Sequence, residues 1–407
     1  MVRGNRASTA LVSVLVSALV GGVLVAATTV GSSASTRGPD PTLRVATFNA
    51  SLNRPAEGDL RRDLSTSTNA QAQAVAETIQ RARPDVLVLQ ELDHDPEALR
   101  LLQRNYLERG WNGAQPIAYP YTFTAPVNTG VPSGLDLNGD GTVGGPDDAY
   151  GFGAFPGQYG MAVLSRYPID EDDVRTFQKL LWKDMPGNRI PTDFYSPEAV
   201  DALRLSSKSH WDVPVRVGRE TVHVLVSHPT PPVFDGPEDR NGRRNADEIR
   251  FWADYVGKAR TSRWITDDDG RRGGLKGHDP FVVAGDLNAD PFDGDSVPGA
   301  AQQLLDHPEV NTSVTPSSEG GVEQSALQGG PNATHRGDPR FDTADFAEPP
   351  GNVRVDYVLP SRGLAINDAR VFWPTTADPL FRLTGVFPFP ASDHRLVWVD
   401  VASRRFR

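Results

Sequence analysis

The sequence contains no cysteine, which excludes disulfides, thioether-linked haem and thiolate metal sites. Cations are also in short supply: 41 Lys and Arg face 52 Asp and Glu, leaving a formal charge of −11. A surface of that sign repels polyanions except at local basic patches or a bound metal. Absent too is a long basic stripe interleaved with aromatics, so a processive nuclease is disfavoured. No obvious amphipathic or aromatic membrane segment is present, which argues against a dedicated sphingomyelinase. Beyond the amino-terminal region, charges interrupt every apolar run before it reaches bilayer length.

What the chain does have begins with a leader pattern. Arg3 and Arg6 precede a charge-free run from Ala7 to Thr36, with an apolar heart from Ala10 to Val30 and small residues at Ser32, Ser33 and Ala34. That order describes a secretory signal peptide. The expected organisation is a leader over 1–36, a linker over 37–42 and one catalytic domain over 43–407, secreted and monomeric. The apolar heart is long enough to span a bilayer, so an uncleaved anchor is the alternative. A secreted chain without disulfides must depend on a large core, for which about 370 residues suffice. The 34 prolines and 38 glycines imply many turns and long ordered loops.

Short β-rich runs recur through the chain. Leu43–Phe48, Val86–Gln90, Met161–Ser165, Val222–Ser227, Phe281–Ala284, Val355–Leu359 and Leu396–Val401 are apolar and bounded by turn formers. Several show little polar alternation, as expected of strands buried on both faces. Ala70–Ala82 has a helical stripe at Val75, Ala76 and Ile79, ended by Pro84. A second helix is expected to start at Asn245, with Glu248 completing a capping box and Ile249, Trp252, Ala253 and Val256 forming its apolar face. Strands alternating with helices predict a layered α/β body. Gly110–Gln158, Asp170–Trp211 and Asp290–Asn352 are then insertions, and loops of that length are commonly functional.

Polar residues cluster where these strands end. Asn49 and Glu91 follow the first two strands, and His228 follows the fourth within a Pro-rich segment reaching Asp235. A side chain placed where a buried strand emerges is held rigidly yet reaches solvent, as a ligand must. Each also has an ordinary explanation as a strand-end cap, a turn former or a hydrogen-bonded structural histidine. Asp286 and Asn288, two residues apart, point the same way if the backbone stays extended. Asp356 lies inside an apolar strand and needs a partner, for which a histidine is suited. Asp393-His394 precedes the last strand.

Together, the ordered series Thr47-Phe48-Asn49, Gln90-Glu91, Gly160 to Arg166, Ser227-His228, Gly285-Asp286-Leu287-Asn288, Val355 to Leu359 and Ser392-Asp393-His394 resembles the endonuclease/exonuclease/phosphatase superfamily. The resemblance runs from about Leu43 to the carboxyl end. It implies a four-layer α/β/β/α sandwich of two packed mixed sheets flanked by helices, with the site where strand ends converge. It also implies magnesium, or manganese, on Glu91 with help from Asn49 and Asp393. Oxygen ligands independently suit such hard cations. Asp356 is implied to orient His394, which acts as general base or binds a phosphoryl oxygen. His228 is placed across the scissile phosphate, and Asp286 with Asn288 positions nucleophile and phosphate. Whether His394 or Asp286 takes the water's proton stays open.

The expected reaction is in-line attack by water on a phosphate ester. A metal and a protonated histidine supply positive charge to the phosphoryl oxygens, and a carboxylate-backed histidine near neutral pKa can accept a proton. Nucleic acid, nucleotides, phospholipid head groups and inositol phosphates are the substrate candidates. The competing class is an inactive calcium-binding surface protein on the same fold.

A second cation motif runs from Asp136 to Asp147. Asp136, Asn138 and Asp140 stand at positions one, three and five, Gly141 at six, Thr142 at seven and Asp147 at twelve, the oxygen pattern of a calcium loop. It resembles dockerin calcium segments and departs from an EF-hand in lacking a terminal glutamate. A calcium ion here would staple an insertion. Arg240, Arg243 and Arg244 are expected on a solvated face.

Overall fold

A computed structural model of the chain describes residues 41–277, 279–346 and 349–406. The expected leader and most of the linker lie outside the described residues. Thirteen strands occur among those described: β1 (Thr42–Leu52), β2 (Val86–Leu92), β3 (Tyr121–Phe123), β4 (Met161–Ser165), β5 (Arg175–Thr176), β6 (His210–Val217), β7 (Glu220–Ser227), β8 (Phe281–Asp286), β9 (Ala344–Asp345), β10 (Asn352–Val353), β11 (Asp356–Pro360), β12 (Ala365–Val371) and β13 (Val397–Ala402). Thr42, assigned to the linker from sequence, already belongs to β1.

One sheet has the order β12-β13-β1-β2-β4-β3 and the other β11-β8-β7-β6-β5, with β9 and β10 forming a separate ribbon. Both sheets are mixed, because β1 runs parallel to β2 and β7 parallel to β8 while their other pairings are antiparallel. Strand alternation divides the side chains cleanly. Leu43 and Val45 of β1, Val86 and Val88 of β2, Val222, Val224 and Val226 of β7 and Val282 and Ala284 of β8 fill the space between the sheets. The opposite face of the first sheet, including Ala46 and Phe48, packs on Val75, Ala76 and Ile79 of helix Ala70–Ala82. The outer face of the second, including Leu225 and Val283, packs on Ile249, Trp252 and Tyr255 of helix Arg240–Tyr255. These are the four expected layers.

The Ala70–Ala82 helix has the expected bounds, and Asn69 caps it by accepting from the Ala72 N–H. The second helix instead begins at Arg240, five residues before Asn245. Asn245 and Glu248 are not caps. The Asn245 amide donates to the carbonyls of Thr230 and Leu287, and the Glu248 carboxylate accepts from the Ser207 and Thr230 N–H groups. Both are buried polar side chains that satisfy loop backbone, which also explains their spacing without a helix start. Arg244 likewise departs from the solvated face expected of it. It is buried and donates to the carbonyls of Leu205, Tyr150 and Arg204. No helix among the described residues is long and apolar enough to cross a membrane.

Candidate active site

Following the inter-sheet face along each strand reaches the site directly. On β1 the alternation runs Leu43, Val45, Thr47, Asn49; on β7 it runs through Val226 to His228; on β8, Val282 and Ala284 lead to Asp286; on β11, Val358 is followed back to Asp356. The valine layer thus gives way to polar groups at one end of both sheets. Asp286 and Asp356 are directly opposed in the antiparallel ladder, which brings two carboxylates together without any loop.

His394 joins them. Its Nδ1 lies 2.9 Å from Asp356 Oδ2 and its Nε2 3.7 Å from Asp286 Oδ2. The same Asp286 oxygen is 3.4 Å from His228 Nε2 and accepts from the Asn49 amide at 3.1 Å. Among the described residues, Asp286, Asp356 and His394 form the group of three ligating side chains whose donor atoms lie within 4.8 Å of one another. The main chain fixes this constellation: the Thr343 hydroxyl accepts from the Asp356 N–H, and the Ser392 hydroxyl accepts from the His394 N–H.

Glu91 arrives by a different route. Simple alternation turns Gln90 inward, where it bonds Thr47, and would turn Glu91 outward. The β1–β2 register shifts between Asn49 and Leu52, with positive φ at both Ser51 (48°) and Glu91 (55°). Such bulges re-aim side chains near active sites, and here Ser51 and Glu91 both reach the cavity that His394 and Asp286 also line. Gln71 of the adjacent helix steadies the bulge by donating to the Ser51 carbonyl at 2.8 Å. Asn53 donates to Glu91 at 2.9 Å, and the Ser51 hydroxyl donates to Asp393 at 3.3 Å. Asn288, at φ 51°, gives its N–H to Asp286 and its amide to the Pro229 carbonyl.

The cavity has a volume of about 550 Å³. Glu91, His228, Asp286, Asn288, Asp393 and His394 line one end of it. Asn49 and Asp356 stand immediately behind them. Pro231 to Phe234, from the Pro-rich segment after His228, form one wall, and Asp290, Asp293 and Asp295 another. Among the described residues, no Lys or Arg lines it.

Electrostatics follow from burial and crowding. Burial raises the pKa of Glu91, with His394 opposing and Asp393 and Asp286 adding to the rise. Burial also raises Asp286, partly offset by His394 and by hydrogen bonds from Asn49 and Asn288. For His394 burial favours the neutral ring, but Asp356, Asp286 and Asp393 outweigh it and hold the pKa well above the usual imidazole value. His228, buried beside Lys208 and His394, is pushed well below. The two imidazoles flanking one carboxylate are therefore shifted in opposite directions.

The donor set fits a hard divalent cation. Carboxylates at Glu91, Asp286 and Asp393 line one cavity that, among the described residues, no Lys or Arg lines, and Asp356 Oδ1 is buried with no hydrogen-bond partner. Lys208 was not singled out in the sequence. It is buried on the loop entering β6, and burial lowers its pKa while Glu248, Glu91 and Asp286 oppose that shift. The available signal was a single charge in the run Leu205-Ser206-Ser207-Lys208-Ser209.

The Asp136 loop is well separated in the sequence from these residues. Asp136 accepts from the Gly139 and Gly141 N–H groups at 2.7 and 2.8 Å, and Asp140 accepts from the Thr142 N–H at 2.8 Å and from the Asn138 amide. The carboxylate that closes the loop by hydrogen bonds is buried Asp148, which accepts from Leu137 and Gly144 at 2.7 Å each. Asp147, the expected twelfth-position ligand, is exposed. The turn through Gly144 and Gly145, both at positive φ, and the short 3-10 helix Pro146–Asp148 bring Asp148 inward.

Known proteins supply the family. No curated protein matches the chain significantly. Among solved structures, an endonuclease/exonuclease/phosphatase from Beutenbergia cavernae DSM 12333 is 20% identical, with 89% of this chain and 71% of that one covered and a TM-score of 0.46. Sphingomyelinase C from Streptomyces griseocarneus is 16% identical, covering 89% and 100%, with a TM-score of 0.45. A Staphylococcus aureus beta toxin mutant with bound magnesium ions is 15% identical, covering 90% and 100%, with a TM-score of 0.42. The family profile described as Endonuclease/Exonuclease/phosphatase family matches residues 46–394, a span that opens on β1 and closes on the histidine paired with Asp356. The chain belongs to that family of metal-dependent phosphoesterases and is a hydrolase of phosphate esters.

Proposed function

We propose that the chain is a secreted, divalent-metal-dependent phosphodiesterase. The observation that carries this reading is the Asp286 carboxylate set between two unlike imidazoles, with Asp356 behind one of them. His394, held protonated by Asp356 and Asp286, is suited to donate to a phosphoryl oxygen. Asp286, raised in pKa by burial, is suited to accept the proton of the attacking water. The water oxygen then bonds phosphorus as the bond to the leaving oxygen breaks in line. Asn49 and Asn288 hold Asp286, and Lys208, electrostatically coupled to Glu91 and Asp286, adds positive charge.

Magnesium or manganese would be held by Glu91 and Asp393 with the Asn49 amide oxygen, and when bound it would supply positive charge to the phosphoryl and leaving oxygens. The cavity favours a diester over a monoester. Six carboxylates, of Glu91, Asp286, Asp290, Asp293, Asp295 and Asp393, line it without a Lys or Arg among the described residues, so a dianionic monoester meets more repulsion than a monoanionic diester. Calcium is proposed for the Asp136–Asp140 loop as a structural ion, with Thr142 contributing and Asp148, rather than Asp147, fixing the loop's end. Initial rates on bis-p-nitrophenyl phosphate and p-nitrophenyl phosphate, with magnesium, manganese or chelator, test the assignment. Metal-dependent cleavage favouring the diester is expected, and metal-independent cleavage or none would overturn it. Culture fractionation of the full chain tests secretion, with retention of the full-length protein in the cell as the contrary result.

A further inference from the structure

Two side chains one turn apart on helix Arg240–Tyr255 hold three loops at once. The Glu248 carboxylate is fully buried and divides its oxygens between two of them: Oε1 accepts from the Ser207 N–H at 2.8 Å, and Oε2 from the Thr230 N–H at 2.6 Å. The Asn245 amide, also fully buried, donates to the Thr230 and Leu287 carbonyls at 2.8 and 2.9 Å. One turn further on, the Trp252 indole donates to the Ser227 hydroxyl at 2.9 Å. Residues 245, 248 and 252 share one helix face, which thus backs the exits of β7 and β8 and the entry to β6. Ser207 and Thr230 are buried and lie outside those strands, so their N–H groups need a partner beyond the sheet.

Each residue held in this way adjoins one that bears on the site. Ser207 precedes Lys208, Thr230 follows His228 by two residues, and Leu287 lies between Asp286 and Asn288. Asn288 donates to the Pro229 carbonyl at 3.1 Å, which ties the two exit loops together. The Ser207 segment has little room to shift: a Cβ at Gly151 would meet the Ser207 carbonyl oxygen at 1.9 Å. Burial lowers the Lys208 pKa, and of the carboxylates that oppose this fall Glu248 acts most strongly, ahead of Glu91 and Asp286. Glu248 itself does not line the cavity, so whatever it contributes passes through the residues it holds.

We propose that Glu248 is a positioning residue for phosphoester hydrolysis, locking the backbone at Ser207 and Thr230 so that Lys208 and His228 keep a fixed placement relative to Asp286, with Asn245 completing the lock at the β8 exit. The inference rests on the phosphodiesterase reading and adds a residue remote from the cavity surface. A neighbouring carboxylate supplies a matched comparison. Asp247 is likewise buried and accepts from two donors, the Trp182 indole and the Arg189 N–H, at 2.7 Å each. The segment it holds carries no residue of the cavity.

Steady-state kinetics on bis-p-nitrophenyl phosphate with magnesium test this in Glu248→Gln, Asp247→Asn, Lys208→Met and the Glu248→Gln/Lys208→Met double variant, each with its melting curve. Glutamine keeps one acceptor oxygen and sets its own N–H₂ against the second donor. Glu248→Gln should lower kcat at least about tenfold with KM within about twofold of the parent, whereas Asp247→Asn should melt lower and keep the parental kcat. The Glu248→Gln loss should shrink when Lys208 is already Met. Hydrogen exchange on the parent, which requires no variant to fold, should be slow at the Ser207 and Thr230 amides. Parental kcat in Glu248→Gln, equal kcat losses in Glu248→Gln and Asp247→Asn, losses that multiply in full in the double variant, or fast exchange at either amide would overturn the proposal. A parent without diesterase activity would refute the phosphodiesterase reading instead, and protection at both amides that Glu248→Gln removes would still support the lock.

Discussion

Replacing Asp356 with Asn keeps the side chain's volume and removes its charge. The backbone pairing to Asp286 and the Thr343 bond to the Asp356 N–H involve main-chain groups and persist. What changes is the 2.9 Å bond to His394 Nδ1, between two buried side chains. A hydrogen bond to a charged group is worth about 1.5–3 kcal/mol. At about 1.4 kcal/mol per decade, kcat on bis-p-nitrophenyl phosphate should fall roughly ten- to a hundredfold. The pH profile gives a further readout with a definite sign. Asp356 raises the His394 pKa, so its neutralisation must lower that pKa, and the limb governed by His394 moves to lower pH whether the ring acts as acid or base. Rates at saturating magnesium from pH 5 to 9, alongside melting curves, measure both. An unchanged kcat, or a limb that moves to higher pH, would refute the pairing as a catalytic device.

Glu91→Gln should abolish magnesium-induced thermal stabilisation and lower activity more than a hundredfold, while in chelator the variant melts no lower than the parent because an ill-hydrated carboxylate is gone; a magnesium shift equal to the parent's would exclude Glu91 as a ligand. Lys208→Met should reduce kcat at least about tenfold with little change in melting temperature, and steady-state kinetics showing only a KM change would limit Lys208 to binding. Calcium removal should lower the melting temperature of the parent but not of Asp140→Ala, with calorimetry reporting uptake of the ion. His210, buried with its Nε2 at 2.9 Å from the Glu248 carbonyl, has a pKa lowered to about 4. Its contribution is fully present above pH 6.5 and is lost as pH falls toward 4, about 3 kcal/mol in all. Urea unfolding at pH 7 and 4.5 should show a smaller acid loss in His210→Gln, and equal losses would contradict the buried neutral ring.

The centre of the site was legible because it follows alternation. Asn49, Asp286 and Asp356 continue the inward face of valine-rich strands, and Asp356, set inside an apolar strand, needed a partner for which a histidine is suited; its opposition to Asp286 appears only in the ladder register. Glu91 was identified by resemblance, since strict period-two reading points it away from the site and a bulge reverses it. Lys208 escaped notice because its electrostatic partners are far away in sequence. Asn245 and Glu248 mimicked a capping box, yet their partners are loop backbone groups. β6 and β12 were overlooked for local reasons: Pro214 interrupts β6, and the Asn367-Asp368 pair gives β12 the composition of a turn.

The valines between the sheets do more than exclude water. Asn49 and Glu91 ride on one sheet and His228, Asp286 and Asp356 on the other, so the packing of Val45 and Val88 with Val224 and Val282 sets the distance across the candidate site. Enlarging or shrinking one of these remote side chains would slide one sheet over its neighbour, and the first symptom would be slower turnover in a protein that still melts as a folded unit.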